Sequence, residues 1–219
     1  MNPNWAEQNL QTIRTLMERS AVYRHALAPI MILTGLFGIT AALVGLFLHI
    51  GSARLFVAYW MTVGLVTVAG GFLLIRKQAL KSAEPVWSPP TRRVVQAMLP
   101  PMAVGLFAGL LGLLPMNSRP ADAAGIVILW CFAYGCAVHA AGFFMPRGIK
   151  LLGWLFIIAG AIAATMLLLT SHDYPSGGHG SPFDVFFDER GLFMGSMFGG
   201  IHLIYGIYLY FSEKGKNAA

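Results

Sequence analysis

Histidines and carboxylates are concentrated in one stretch of this chain, SHDYPSGGHGSPFDVFFDERG, at residues 171–191. Imidazole nitrogens and carboxylate oxygens are common ligands of divalent transition metals, and histidine also changes its charge close to neutral pH. His172, Asp173, His179 and Asp184 are therefore the candidate ligands of a metal or pH-sensing site. Their spacing matches no established metal motif, and YPSGGHGSP is a turn-forming sequence that binding would have to order. The alternatives are a solvated external loop in which PFDVFF lies along the membrane interface as a short lid, and a contact with a partner.

Two other histidines, His139 and His202, lie inside apolar stretches. Each shares a helical face with glycines, namely Gly195, Gly199 and Gly206 for His202, and Gly135 and Gly142 for His139. Small residues let helices approach closely, so we expect both imidazoles to face neighbouring helices rather than lipid.

These two histidines allow three kinds of chemistry. They could act as the cofactor ligands of a haem b or a divalent metal held between helices. They could instead form interhelical hydrogen bonds, for instance to Tyr134 or Tyr205, or serve as a proton relay. Against the haem, His139 lies about six residues from the inner end of its span whereas His202 lies near the middle, so the two differ in depth by roughly 5 Å.

The amino-acid composition indicates what kind of structure must position these residues. Hydrophobic residues make up 57% of the 219 and charged residues 11%, against about 45–50% and about 25% in soluble domains. Six apolar runs approach the roughly 20 residues that span a bilayer as a helix. Their approximate bounds are Ala26–His49, Leu55–Ile75, Val94–Leu114, Asp122–Phe144, Leu151–Thr170 and Gly191–Phe211.

The distribution of charge predicts how the chain is threaded. Of the 15 Lys and Arg residues, all except Arg54, Arg119 and Arg190 fall on one side when the spans alternate. Positive residues favour the cytoplasmic side, so both termini should be cytoplasmic in a bacterial inner membrane. The basic character then matches anionic lipid headgroups at the inner face, and no nucleic acid partner is needed.

The predicted fold is an all-α polytopic membrane protein with six transmembrane helices in three antiparallel hairpins. Residues 1–25 are expected to form an amphipathic helix on the cytoplasmic surface, because Leu10, Ile13 and Met17 recur at helical spacing. It would serve as an anchor or docking helix, and a partner-binding helix is the alternative. Residues 26–212 form the membrane domain, and 213–219 form a short cytoplasmic tail.

Glycine pairs seven residues apart recur on the even-numbered spans. They are Gly64 and Gly71, Gly135 and Gly142, and Gly199 and Gly206. The pattern favours three copies of a two-helix hairpin with these glycines at helix contacts, and chance is the alternative in a chain that has 25 glycines.

The spans lack the groups that most membrane catalysis and coupled transport require. No Asp, Glu, Lys or Arg lies inside a span, which argues against carboxylate-coupled transport and a retinal Schiff base. No nucleotide-binding, serine-hydrolase or zinc-protease motif occurs. We therefore expect a non-enzymatic membrane component, either an accessory subunit or a small-solute permease with an uncharged pathway. It would act as a homo-oligomer or with a membrane partner. A haem-binding redox protein using His139 and His202 is the alternative.

Overall fold

The computed structural model describes residues 3–50, 52–81, 86–114, 120–145, 148–173 and 190–217. Every regular element in these ranges is helical, and the bounds are α1 Pro3–Phe47, α2 Ala53–Lys81, α3 Pro89–Gly112, α4 Pro120–Ala141, α5 Gly148–Asp173, α6 Arg190–Met194, a π-helical segment Gly195–Ile201, and α7 His202–Asn217. The last three elements follow one another without a break and together form the sixth long helix.

Six helices in the described ranges are long and apolar enough to cross a membrane. The candidate spans are Leu27–Phe47, Ala53–Lys81, Thr91–Gly112, Ala123–Ala141, Gly148–Leu169 and Gly191–Ser212. The all-α class and the count of six spans are confirmed in this form.

The first helix differs from its prediction. α1 runs unbroken over 45 residues, or about 68 Å at 1.5 Å per residue, which is more than twice the hydrocarbon thickness of about 30 Å. Pro29 lies inside the helix and removes one backbone donor, but it does not end the helix. A separate amphipathic surface helix at 1–25 is therefore not confirmed, because that segment continues the first span.

The helices do not pack as three independent hairpins. α1 packs along α2 and α3 along α4, as expected for hairpins, but α5 packs mainly along α4 and the sixth span mainly along α1. The closing contacts of the bundle therefore join the first and last spans, and the three-hairpin arrangement is not confirmed.

The buried side chains form two main clusters, one at each end of the bundle. The cluster near the α1–α2 turn includes Phe56, Val57, Trp60, Val127 and Cys131. The cluster near the α4–α5 turn is formed by Leu27, Val138, Ile149, Leu152 and Phe156. Apolar side chains from non-adjacent spans thus meet at both ends, which fixes the relative positions of the helices.

Two helix pairs approach closely through glycine. A Cβ placed on Gly38 of α1 would lie 2.6 Å from the Cα of Gly199 in the sixth span. A Cβ on Gly153 of α5 would lie 2.6 Å from the backbone nitrogen of His139 in α4. Real Cβ atoms do not approach other heavy atoms so closely, so both contacts depend on the absence of a side chain.

Candidate functional site

His202 is the centre of the most enclosed polar group in the described chain. It begins α7 directly after the π-helical segment, and its side chain is 0% exposed. Its Nε2 lies 2.6 Å from the hydroxyl of Tyr134 on α4. The hydroxyl donates to Nε2 when the ring proton is on Nδ1, and Nε2–H donates to the hydroxyl oxygen in the other tautomer. Either way, the bond links the sixth span to α4.

Three aromatic rings surround the His202 imidazole. The ring centroids of Tyr134, Phe156 and Phe198 lie 5.3, 5.4 and 6.4 Å from that of His202. Tyr134 also lies 4.9 Å from Phe156 and 5.3 Å from Phe198. These four residues, here called the aromatic cluster, join α4, α5 and the sixth span. They exclude water from the hydrogen bond, and a low local dielectric strengthens such a bond and raises the cost of losing it.

The other imidazole nitrogen has no such partner. The Nδ1 of His202 is buried and makes no hydrogen bond of good geometry in the described chain, although the backbone of Met197 and Phe198 lies within reach of the ring. The hydroxyl of Tyr205, one turn further along the same helix, is likewise buried without a partner. Buried polar atoms are usually hydrogen-bonded, so the Tyr205 hydroxyl is an exception in this part of the bundle.

The π-helical segment Gly195–Ile201 positions His202. A π turn is rare and often lies at a functional site, and it inserts one extra residue that reorients the helix on either side. Gly195 and Gly199 are buried against α1, while His202 faces Tyr134 on α4. Sequence reasoning missed this turn, and the only signal for it was the density of glycine at 195, 199 and 200.

His139 lies in a different environment. It is partly buried, and its Nδ1 is 3.5 Å from the carbonyl oxygen of Lys150. Its ring packs edge-on against Phe143 and Trp154, with centroids 5.6 and 5.5 Å away. Both of those aromatic side chains are largely exposed, so His139 lies at the outer edge of the α4–α5 pair.

The structure does not bring His139 and His202 together. Tyr134, which contacts His202, precedes His139 by five residues, so the two side chains leave α4 in directions about 140° apart. Axial imidazoles must face one iron atom from opposite sides. The observed contacts therefore do not suit a haem shared by these two histidines. The contacts of His202 include the hydrogen bond to Tyr134, which was one of the alternatives to haem binding.

The external metal site falls largely outside the described residues. The backbones of His172 and Asp173 form the end of α5, whereas His179 and Asp184 are not described. Within the described ranges, no group of three His, Cys, Asp or Glu residues is arranged to hold a metal ion. The metal site remains a prediction, tested by calorimetric titration with zinc on the native chain and on a His172→Ala, His179→Ala double variant.

The glycines expected at helix contacts fall into two groups. Those in or next to α4 and those in the sixth span meet neighbouring helices. Gly135 of α4 and Gly142, directly after α4, lie against α5, and Gly195, Gly199 and Gly206 lie against α1. A Cβ on Gly71 would have one ordinary contact, 3.9 Å from Ile30, and a Cβ on Gly64 would have nothing within 4 Å.

Sequence reasoning missed the partner side of these contacts. Gly35 and Gly38 on α1 face the sixth span, and Gly153 and Gly160 on α5 face α4. Gly153 and Gly160 are themselves seven residues apart, so the spacing seen on the even spans was also present on this odd span.

A groove runs between α1 and the sixth span on the outside of the bundle. Its volume is about 420 Å³, and its lining includes Ile39, Leu43, Leu192 and Phe193. Ser196 contributes a hydroxyl, which donates to the carbonyl of Phe193 at 2.9 Å. The groove therefore offers apolar surface with one hydroxyl that is already bonded.

Comparisons with protein-family models, with curated proteins and with solved structures find no match for this chain. Its function must therefore be argued from its own residues.

Proposed function

We propose that the protein is a non-enzymatic integral-membrane component that acts as a subunit of a larger membrane assembly. The observation that carries this proposal is the nature of the interior. In the part of the chain that the structure describes, the buried polar groups are the side chains of Thr91 and His202 and the hydroxyl of Tyr205, and His202 is bonded to Tyr134. A solute pathway needs polar groups along its length. A small-solute permease, the other form expected from the sequence, is therefore less well supported.

The surface best suited to a partner is on α2. In the most apolar part of α2, only 6% of the residues are buried within the chain, compared with 50% in the corresponding part of α4. Gly64 on this helix faces open space. A glycine in a helix costs about 1 kcal/mol relative to alanine, and close approach of another helix offsets that cost. We expect a second copy of this chain or another membrane protein to pack here.

Photo-crosslinking tests this proposal. A photoreactive residue at Leu65 lies beside Gly64, and one at Leu168 on α5 is a matched control, because the two side chains are 72% and 71% exposed. We expect a discrete protein adduct from position 65 and only lipid adducts from position 168. Lipid adducts alone at both positions would contradict a partner on α2.

The proposed location is the inner membrane of a bacterium, with both termini in the cytoplasm. The support is the one-sided distribution of Lys and Arg across the six spans. Cysteine labelling in intact cells tests it. We expect an external, impermeant reagent to label the 171–190 loop and not the 76–93 loop, and the reverse pattern would overturn the orientation.

The haem alternative has an independent test. A purified protein with a Soret absorption band that disappears in His202→Ala would establish haem ligation and displace the proposed function. We expect no such band, because Tyr134 bonds the Nε2 of His202 and His139 packs elsewhere.

A further inference from the structure

The turn between α2 and α3 carries the densest positive charge in the described chain. Arg76, Lys77 and Lys81 lie in the last turns of α2, and Arg92 and Arg93 are the fourth and fifth residues of α3. All five side chains are exposed. Between residues 76 and 93 the sequence contains one acid, Glu84. The cations therefore greatly outnumber the carboxylates that the same segment could offer as partners.

The placement of Arg92 and Arg93 is unfavourable for the helix that carries them. The amino end of a helix bears a partial positive charge, and it prefers acidic residues to basic ones. The first turn of α3 contains no acidic residue. Basic residues at a position that is electrostatically unfavourable for the helix indicate a role other than helix stability. An anion bound from outside the chain would relieve the repulsion.

The backbone of this turn is held by hydrogen bonds. The Thr91 hydroxyl donates to the carbonyl of Val86 at 3.1 Å, and the Ser88 hydroxyl lies 2.8 Å from Thr91 Oγ1. The backbone N–H of Arg92 donates to the Ser88 carbonyl at 3.0 Å. Thr91 is buried, and these local bonds hold the backbone from which the two arginines extend.

An exposed tryptophan lies in the same turn. Trp87 is 63% exposed, and tryptophan favours the headgroup level of a membrane. The basic residues are at the ends of two candidate spans, where headgroups would lie. The positive charge, the position at the ends of two spans and the exposed tryptophan thus all match the headgroup region of a membrane.

We propose that the α2–α3 turn is a binding surface for anionic phospholipid headgroups, formed by Arg92 and Arg93 at the start of α3 and by Arg76, Lys77 and Lys81 at the end of α2. The surface holds such lipids at one end of the bundle in preference to zwitterionic lipids. This inference needs only that the spans lie in a membrane, and it is independent of the proposed partner on α2.

Electron spin resonance of spin-labelled lipids tests the proposal directly. The full-length protein is reconstituted in phosphatidylcholine vesicles with a trace of spin-labelled phosphatidylglycerol or phosphatidylcholine, and the motionally restricted fraction of each label is measured. Each basic residue near an anionic surface contributes a factor of about five in binding. We expect at least about fivefold selectivity for phosphatidylglycerol, and a decrease at 1 M salt, where the screening length is about 3 Å.

Matched variants distinguish binding at this surface from a general effect of the protein's positive charge. Arg93→Gln and the Arg92→Gln, Arg93→Gln double variant should reduce the selectivity, whereas Arg54→Gln, an exposed arginine at the opposite end of α2, should leave it unchanged. Thermal unfolding checks that all variants are folded. Absence of selectivity in the native chain would overturn the proposal and leave an acidic segment of a protein as the complement. An equal loss in Arg54→Gln would also overturn it.

Discussion

Gly199 and Gly206 on the sixth span and Gly64 and Gly71 on α2 are glycine pairs with the same spacing of seven residues. In the sixth span, a Cβ on Gly199 or Gly206 would lie 2.6 or 2.7 Å from a backbone nitrogen of α1. On α2, a Cβ on Gly64 would meet nothing within 4 Å. Spacing therefore identifies a face on which a helix can approach, but it does not tell whether a helix of the same chain lies there.

Replacement of Gly199 by leucine should have the largest effect on folding. Its Cβ would lie 2.6 Å from the backbone nitrogen of Ile39, and a backbone cannot move aside as a flexible side chain can. We expect a loss of about 1–3 kcal/mol or more in the free energy of unfolding. The measurement is thermal unfolding in detergent.

The neighbouring Gly200→Leu variant is the control for Gly199→Leu, because a Cβ at Gly200 has open space. The lower melting temperature should appear only in the Gly199 variant. Equal melting temperatures in the two variants would show that the close contact between α1 and the sixth span does not exist in the protein.

The Tyr134–His202 bond should have a smaller effect, measured by a double-mutant cycle with Tyr134→Phe and His202→Leu. Hydrogen bonds between membrane helices contribute about 0.6 kcal/mol on average and up to about 1.7 kcal/mol. We expect a coupling in this range in the free energy of unfolding. Tyr205→Phe is the control, because the hydroxyl of Tyr205 is buried without a partner, and this variant should be at least as stable as the native chain. A coupling energy of zero would show that this hydrogen bond does not contribute to stability.

The smallest effect should be that of alanine at Gly64, and it should differ in direction from the effect of alanine at Gly199. Alanine has a helix propensity about 1 kcal/mol more favourable than glycine. Gly64→Ala should therefore leave stability unchanged or raise it by up to about that amount in the isolated chain, because the added methyl group meets no atom. Gly199→Ala should lower it, because the same methyl group meets the backbone of α1. Melting temperatures that shift in the same direction would contradict the distinction between the two glycine pairs.

Much of the fold could be predicted from apolar length alone, because a chain in lipid must satisfy its backbone within helices. The count of six spans follows from this. The extent of α1 could not be predicted, because Pro29 suggests a boundary in the sequence and yet lies inside a continuous helix. The pairing of the first and last spans also depends on which glycine faces meet, and a sequence periodicity does not contain that information.

The candidate site was predictable in part. A histidine inside a span must find a partner, and Tyr134 was one of two tyrosines considered for this role. The separation of His139 from His202 was not predictable, because the side chains of Tyr134 and His139 leave the same helix in different directions. The π-helical segment also changes which face of the sixth span meets α1, and no residue type specifies such a turn.

Solute flux in proteoliposomes tests most directly whether this is a packed membrane subunit or a permease. The purified full-length protein is reconstituted at several protein-to-lipid ratios, and osmotic swelling with glycerol or urea is followed by light scattering. The apolar interior described above predicts swelling rates equal to those of protein-free vesicles at every ratio. A rate that rises in proportion to protein content and saturates with solute would contradict the account and establish a permease.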